Sequence, residues 1–416
     1  MPWLAESTTT CTTDIGLIHP ERCMEEASPA AFPPSGDTHS SEVEPSTFGG
    51  AIAVRWKAIA VVVILLLAGG MLYRQMSPYY SNPDPDLSLE GHIVEQVAEG
   101  LGSPSCLHWV DSSWLLVCDR GGRLLALQLN MSNEFGEPLE LLTGLVEPHG
   151  VLLWEDPENG TERLLVSVRG ELLAYSLGEG NDPSQWTLGS TQVLVTGIPT
   201  GNHQTNAVMP YKDGEVLWHA GSTCNICEEE DDRNAAILAV DSWSGEHRVV
   251  VSGVRNSYDG TWVPGVGYLF TDNGRDWEGD HPPEELNLLL EDQAYGWPED
   301  DPDHPVPEGT LGPIAEFTSH SSANGVDWRP PNSTLPGGDT TVYVTLFGSW
   351  NTVIPVGQEV VRVDLSPDPS NPQNWTGVVT PILEGLQTPL PVRFHPEGDL
   401  YYAEYAQGAL YRITAE

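Results

Sequence analysis

From Gly91 onward the chain repeats one short phrase: an apolar strand ends in glycine followed by Leu, Ile or Val, and a new strand follows after a brief loop. The junctions are Gly100-Leu101, Gly144-Leu145, Gly197-Ile198, Gly253-Val254 and Gly385-Leu386, with residues 319–324 as a diverged sixth. Each leads into a pair of strands, such as 151–154 with 164–168, or 392–394 with 400–404. Six strand-rich units of about 44 to 70 residues specify an all-β chain, a six-bladed β-propeller. The first strand, 92–98, has no blade of its own. It would complete the last blade, 392–413, and so close the ring without leaving an exposed edge.

The propeller domain is therefore expected over 91–416, and three shorter segments precede it. Residues 1–54 are rich in Ser, Thr, Pro, Ala and Glu without apolar periodicity, and read as a disordered tail or as sequence upstream of the true start. Arg55-Trp56-Lys57 then leads into an uncharged run that stops at Arg74, so 55–74 is a membrane anchor or a signal segment. With the basic flank held inside, 75–416 faces the exterior; cleavage near Ala68-Gly69-Gly70 would secrete it instead. Residues 75–90, rich in Pro, Asn and Asp, read as a linker. Four Asn-x-Ser/Thr sequons, at Asn130, Asn159, Asn332 and Asn374, fit an exported domain.

Cysteine placement fits the same compartment. Cys106 and Cys118 flank an expected hairpin and form either a disulfide or two buried thiols. Cys224-Asn225-Ile226-Cys227 lacks the second ligand pair of a zinc site, and Glu228 stands where a c-type haem would need His. A local structural disulfide is the expectation there. Neither a G-x-G-x-x-G nor a Walker A sequence occurs, so nicotinamide and nucleotide chemistry lack their usual phosphate cradle.

The chemistry concentrates between residues 251 and 298. Arg255-Asn256 is followed by a strand ending in Asp272-Asn273-Gly274-Arg275-Asp276, by a loop with Asp280, Glu284 and Glu285, and by Tyr295-Gly296-Trp297-Pro298. By composition alone this is a solvated acidic loop. Its motifs say more. The Arg-Asn pair, the loop from Asn273 to Pro283 and the Tyr-Gly-Trp-Pro segment together resemble the soluble quinoprotein glucose/sorbosone dehydrogenases. Pro148-His149-Gly150, Gly221 to Cys227, His320-Ser321-Ser322 and Gly348-Ser349-Trp350-Asn351 extend the likeness over residues 92–416.

That resemblance implies a six-bladed propeller that oxidises an aldose or sugar aldehyde with pyrroloquinoline quinone (PQQ) and calcium. Such chemistry needs a base for the hydroxyl proton and a cofactor for the hydride. His203 matches the family's catalytic histidine, although a lone His is ordinarily a turn or surface residue. Arg255 and Asn256 match the pair that contacts PQQ, with Arg255 stabilising charge on the quinone oxygen and Asn202 beside them. Asn273, Gly274 and Arg275 match the segment whose backbone oxygens hold the catalytic calcium. Glu285 and Tyr295 match a second calcium site, joined by Glu284. His149 lies near the channel mouth with a cofactor or turn role, and His320, Trp350 and Asn351 belong to the pocket wall.

Two departures stand out. Glucose-oxidising relatives hold the carboxylates of PQQ with a Lys in blade five and an Arg pair in blade six. Here those regions read Leu346-Phe347-Gly348-Ser349 and Gln387-Thr388-Pro389, which leaves Arg393 and Arg275 as substitutes. The competing readings are a calcium-dependent lactonase-like hydrolase and a propeller that binds sugars or partners without catalysis. The expected partners are a small sugar, a membrane through the N-terminal segment and an unidentified electron acceptor.

Charge excludes other partners. Sixty acidic residues against 17 basic ones give a net charge of −43, and only Lys57 and Lys212 are lysines, which argues against nucleic acid or an anionic membrane surface. With 14 Trp and regular apolar runs the chain is nevertheless a folding one, and a halophilic setting would screen its self-repulsion. Lowering KCl from molar to millimolar, where the Debye length grows to about 30 Å at 0.01 M, should therefore lower the melting temperature. A melting temperature that holds constant contradicts the halophilic reading.

Overall fold

The computed structural model describes residues 48–76, 85–157, 160–178, 182–276, 279, 281–352 and 355–416. Most of the expected tail with Cys11 and Cys23, residues 77–84 of the linker, Asn159 and Asp280 lie outside the described residues. One helix, α1 (Phe48–Met76), spans 29 residues, starting ahead of Arg55 and ending ahead of Pro78. Within it Trp56–Tyr73 has a mean hydropathy of 2.1 and is long and apolar enough to cross a membrane.

The β-rich part forms six sheets. Blade one spans 104–143, blade two 150–195, blade three 205–252, blade four 257–317, blade five 323–384 and blade six 389–415. The first strand of each blade touches the first strand of the next, and that of blade six touches that of blade one, so these strands form a closed inner ring. The expected closure is present: His92–Ala98 pairs antiparallel with Ala409–Ala415 as the outermost strand of blade six, from His92 against Ala415 to Ala98 against Leu410. Part of the linker is also structured, since Asp86–Leu87 pairs with Trp375–Glu384 at the edge of blade five.

The repeated Gly is a repeated turn. All five junction glycines sit at positive φ: Gly100 77°, Gly144 76°, Gly197 71°, Gly253 69° and Gly385 75°. An L side chain is disfavoured there, which is why the signal recurs in sequence. At the sixth junction the left-handed positions are occupied by His320 (φ 65°) and Ser322 (φ 57°), so the glycine signal is lost. Non-glycine residues in this region carry strain that often marks function. Close approach constrains Gly150 instead: a Cβ on this inner-strand residue would lie 2.6 Å from the Asn206 carbonyl oxygen of blade three.

Blades stack face to face, so middle strands are apolar on both sides rather than alternating. Trp114–Asp119 is buried throughout. Leu165 and Leu172 of blade two pack with Trp218 and Leu238 of blade three in one such interface. Polar groups at the ring's centre are paired. Arg393 of blade six donates from both terminal nitrogens to Asp259 of blade four, at 2.7 and 2.8 Å, and also to the Val326 carbonyl. Removing one member of such a pair strands a buried charge. Arg393→Met should therefore lower unfolding free energy by about 3–5 kcal/mol in urea titrations; a loss below about 1 kcal/mol would mean that Asp259 is rescued by water.

Candidate active site

An antiparallel blade brings the start of its first strand and the end of its second to the same end of the ring. The turns ahead of three successive inner strands carry His203, Arg255 with Asn256, and His320 with Ser322. The loop after Gly267–Asp272 adds Asn273, Gly274 and Asp276 at that end. With Asn202, Asn225, Glu284, Trp350 and Asn351 they line one polar cavity of about 490 Å³.

The protonation pattern of His203 follows from its neighbours. The Ser222 hydroxyl spends its one proton on the Cys224 carbonyl, at 2.8 Å. Its oxygen, and the Ser222 carbonyl, can then only accept from His203 Nδ1, at 2.8 and 3.1 Å. Nδ1 therefore carries the proton and Nε2 the lone pair. Burial, helped by the positive charge of Arg255, lowers the imidazole from 6.5 to about 3, so it is neutral at neutral pH. Cys224 is held by its disulfide to Cys227, as expected, and Cys106–Cys118 is the second disulfide.

Arg255 is braced on several sides. Nε donates to the Asn225 carbonyl (3.2 Å), Nη1 to the Asn273 carbonyl (3.2 Å), and Nη2 to Asn225 Oδ1 (2.9 Å) and Asp276 Oδ2 (2.8 Å). Asp276 Oδ1 also accepts from Asn351. The Tyr-Gly-Trp-Pro segment completes the brace: the Trp297 indole donates to the Asn225 carbonyl at 3.0 Å, and the Trp297 and Tyr295 amides bond the Gly253 and Ser252 carbonyls.

Beneath this lies an excess of acceptors. Burial raises Asp272 to about 7, against amide hydrogen bonds from Asn256 and Arg255 that pull it down. Burial raises Glu284 to about 8, although it accepts the Gly274 amide at 3.0 Å. Asn273 Oδ1 is buried without a partner. Carboxyl and amide oxygens held by backbone amides or left unpartnered suit a hard divalent cation such as calcium.

Of the residues singled out in the sequence, His203, Asn202, Arg255, Asn256, Asn273, Gly274, Glu284, His320, Trp350 and Asn351 line the cavity. His149 lines an adjoining one. Three stand apart. Arg275 is buried, with Nε 3.8 Å from Asp300. Glu285 accepts from Asn287, and Tyr295 lays its ring against Phe270 with its hydroxyl on the Leu288 carbonyl. The two substitute cations are likewise elsewhere: Arg393 is committed to Asp259, and neither it nor Arg275 lines this cavity. Sequence reading gave no individual role to Asn225 and Asp276, which sat inside quoted motifs, because amides and carboxylates in loops carry no spacing signal of their own.

Protein-family models give no match to the chain. Among curated proteins, an uncharacterized protein of Borreliella burgdorferi is 22% identical over 240 residues, 53% of this chain and 63% of that protein, so the chain spans less than two thirds of that relative. The holo form of the PQQ domain of pyranose dehydrogenase from Coprinopsis cinerea has a TM-score of 0.66 at 19% identity, over 80% of this chain and 98% of that one. A calcium structure of the Trichoderma reesei carbohydrate-active enzyme of family AA12 gives 0.66 at 20% identity, over 81% and 98%. The PQQ-bound aldose sugar dehydrogenase of Streptomyces coelicolor gives 0.59 at 18% identity, over 78% and 98%. The chain is thus a six-bladed propeller with a polar cavity at one end of its inner ring. Its fold is that of the quinoprotein sugar dehydrogenases, in agreement with its motifs.

Four histidines share the electrostatic condition of His203. Burial is the largest cause in each, lowering His108 and His149 to about 4 and His203 and His219 to about 3 from 6.5. Between pH 6.5 and those values the unfolded chain binds protons that the folded one excludes. Stability therefore rises with pH through this window and is lost on acidification, by about 1.4 kcal/mol per histidine per pH unit. His219→Gln, at a site bonded to Tyr268 and Ser257, should reduce the slope of unfolding free energy between pH 6 and 5 by about that amount. An unchanged slope would show His219 to be protonated in the folded state.

Proposed function

We propose that the propeller oxidises an aldose or related sugar aldehyde with PQQ and calcium, His203 acting as the general base. The observation that carries this reading is the placement of a neutral imidazole, lone pair on Nε2, in one cavity with a braced Arg255, the Glu284 carboxyl and the unpartnered Asn273 Oδ1. When bound, PQQ supplies the hydride acceptor and calcium the polarising charge, neither of which a side chain offers.

The chain's own part is to hold the sugar and take its hydroxyl proton. His203 receives that proton at Nε2, while Ser222 keeps the opposite nitrogen protonated and the ring oriented. Burial and the nearby Arg255 charge keep the imidazole deprotonated at neutral pH, so Nε2 is free to accept. Arg255 holds a fixed positive charge at the cavity wall, with Asn256 beside it. Asn273 Oδ1, Glu284 and the Gly274 backbone are the groups that would hold the cation. Trp350, about half exposed, supplies an apolar surface for a sugar ring.

Two disulfides and the apolar stretch of α1 support an exterior propeller tethered by its N-terminal segment, or secreted where that segment is removed. Titrating the apo-protein with PQQ, with calcium and with chelator, tests the cofactor assignment: binding should require calcium, and magnesium should restore it poorly. Dye reduction across a sugar panel then tests the reaction. His203→Ala should cut turnover by about 10²–10⁴-fold while leaving PQQ affinity intact. Equal PQQ binding with and without calcium, or none in either, removes the quinoprotein reading and favours a hydrolase or a binding propeller.

A further inference from the structure

A second cavity of about 220 Å³ shares Asn202, His203, Asn256 and Ser322 with the first, so the two adjoin across these side chains. Its remaining wall includes Arg120 of blade one, Gln204 ahead of blade three, Phe347 of blade five and Tyr405 of blade six. Arg255 and Arg120 are the cations among the described residues that line either cavity. Four hydrogen bonds occupy the Arg255 guanidinium, leaving one of its five N–H groups. Arg120 makes three, to Glu147 (3.1 Å), Gln204 (3.4 Å) and Tyr405 (3.4 Å), two of them long.

The surroundings of Arg120 are built to hold it without neutralising it. Glu147 Oε2 pairs with Arg120 while Oε1 faces Arg169 at 3.5 Å, so two guanidiniums share one carboxylate and the cluster keeps a net positive charge. That is unusual in a chain of net charge −43. His149 sets the second support: Nδ1 donates to the Glu147 carbonyl, which leaves Nε2 to accept from the Gln204 amide and turns Gln204 Oε1 to Arg120. Glu147 itself has φ 45°, a left-handed conformation that non-glycine residues seldom adopt.

We propose that Arg120, held by Glu147 and Gln204, is the carboxylate-binding group of this second cavity. The carboxylate belongs either to PQQ, in which case the inference rests on the function proposed above, or to an acidic sugar of the uronic-acid class. An arginine with spare donors at a cavity wall recognises a carboxylate by charge-assisted hydrogen bonds. Arg120 stands directly after the strand Trp114–Asp119 of blade one, at the wall of this cavity.

Equilibrium titrations of wild type, Arg120→Gln and Glu147→Gln with PQQ, galacturonate and glucose, in calcium and at two salt concentrations, test this. Arg120→Gln should weaken one carboxylate ligand by about tenfold or more and flatten its salt dependence, with glucose unchanged. Glu147→Gln should act in the opposite direction and tighten the same ligand, a gain that a misfolded variant does not produce. Loss confined to PQQ assigns the group to the cofactor, and loss confined to galacturonate assigns it to the substrate. If wild type binds no PQQ, the proposed function fails and the galacturonate titration alone decides the role of Arg120. Unchanged affinity for both carboxylates in Arg120→Gln, or weaker binding in Glu147→Gln, overturns the inference.

Discussion

The ring exists because residues at opposite ends of the propeller pair with one another. His92–Ala98 lies against Ala409–Ala415, and an Arg412–Glu95 contact of 2.6 Å ties positions 317 residues apart. Without this pairing, blade six would expose an edge, and the inner strands would have no reason to meet around an axis. Everything assembled at the end of the ring depends on that closure, because the cavity draws its walls from the turns of blades three, four and five. No blade alone contains a base, a cation and acceptor oxygens. His203 and Arg255 are bridged by Ser222, whose hydroxyl and carbonyl meet His203 Nδ1 and whose amide donates to the Arg255 carbonyl at 2.8 Å.

Charge sets the second constraint. Buried carboxylates at Asp272, Glu284 and Glu285 are all raised by burial, and each makes apo folding at neutral pH less favourable than it would be with a counter-ion. A bound divalent cation reverses that penalty, so metal affinity and domain stability are linked. The same logic separates the arginines. Arg393 serves the ring's interior, fully committed to Asp259, while Arg255 and Arg120 stand at cavity walls with donors in reserve.

Much of this was legible in the sequence for a physical reason. A left-handed turn demands glycine, so five of six blade junctions announce themselves, and the sixth is silent because His320 and Ser322 take the strained positions. The stretch around Arg255 was legible because its motifs are dense and ordered. The fate of Arg393 and Arg275 was not, since a sequence shows that a cation is present but not which carboxylate reaches it first. Asn225 was likewise obscured: its importance lies in bonding Arg255, Asp276 and Trp297 at once, a convergence of residues 30, 51 and 72 positions away that only folding creates. Glu285 and Tyr295 lie outside the cavity, and their residue types suit packing and cation binding alike.

The Cys224–Cys227 turn has a meaning beyond its own loop. The Cys224 carbonyl directs the Ser222 proton, and that proton decides which nitrogen of His203 is basic. The neighbouring Asn225 carries the brace of Arg255. A two-residue disulfide loop and the acid–base state of the cavity thus share one stretch of backbone. The disulfide closes the turn from which both the His203 tautomer and the Arg255 brace are set.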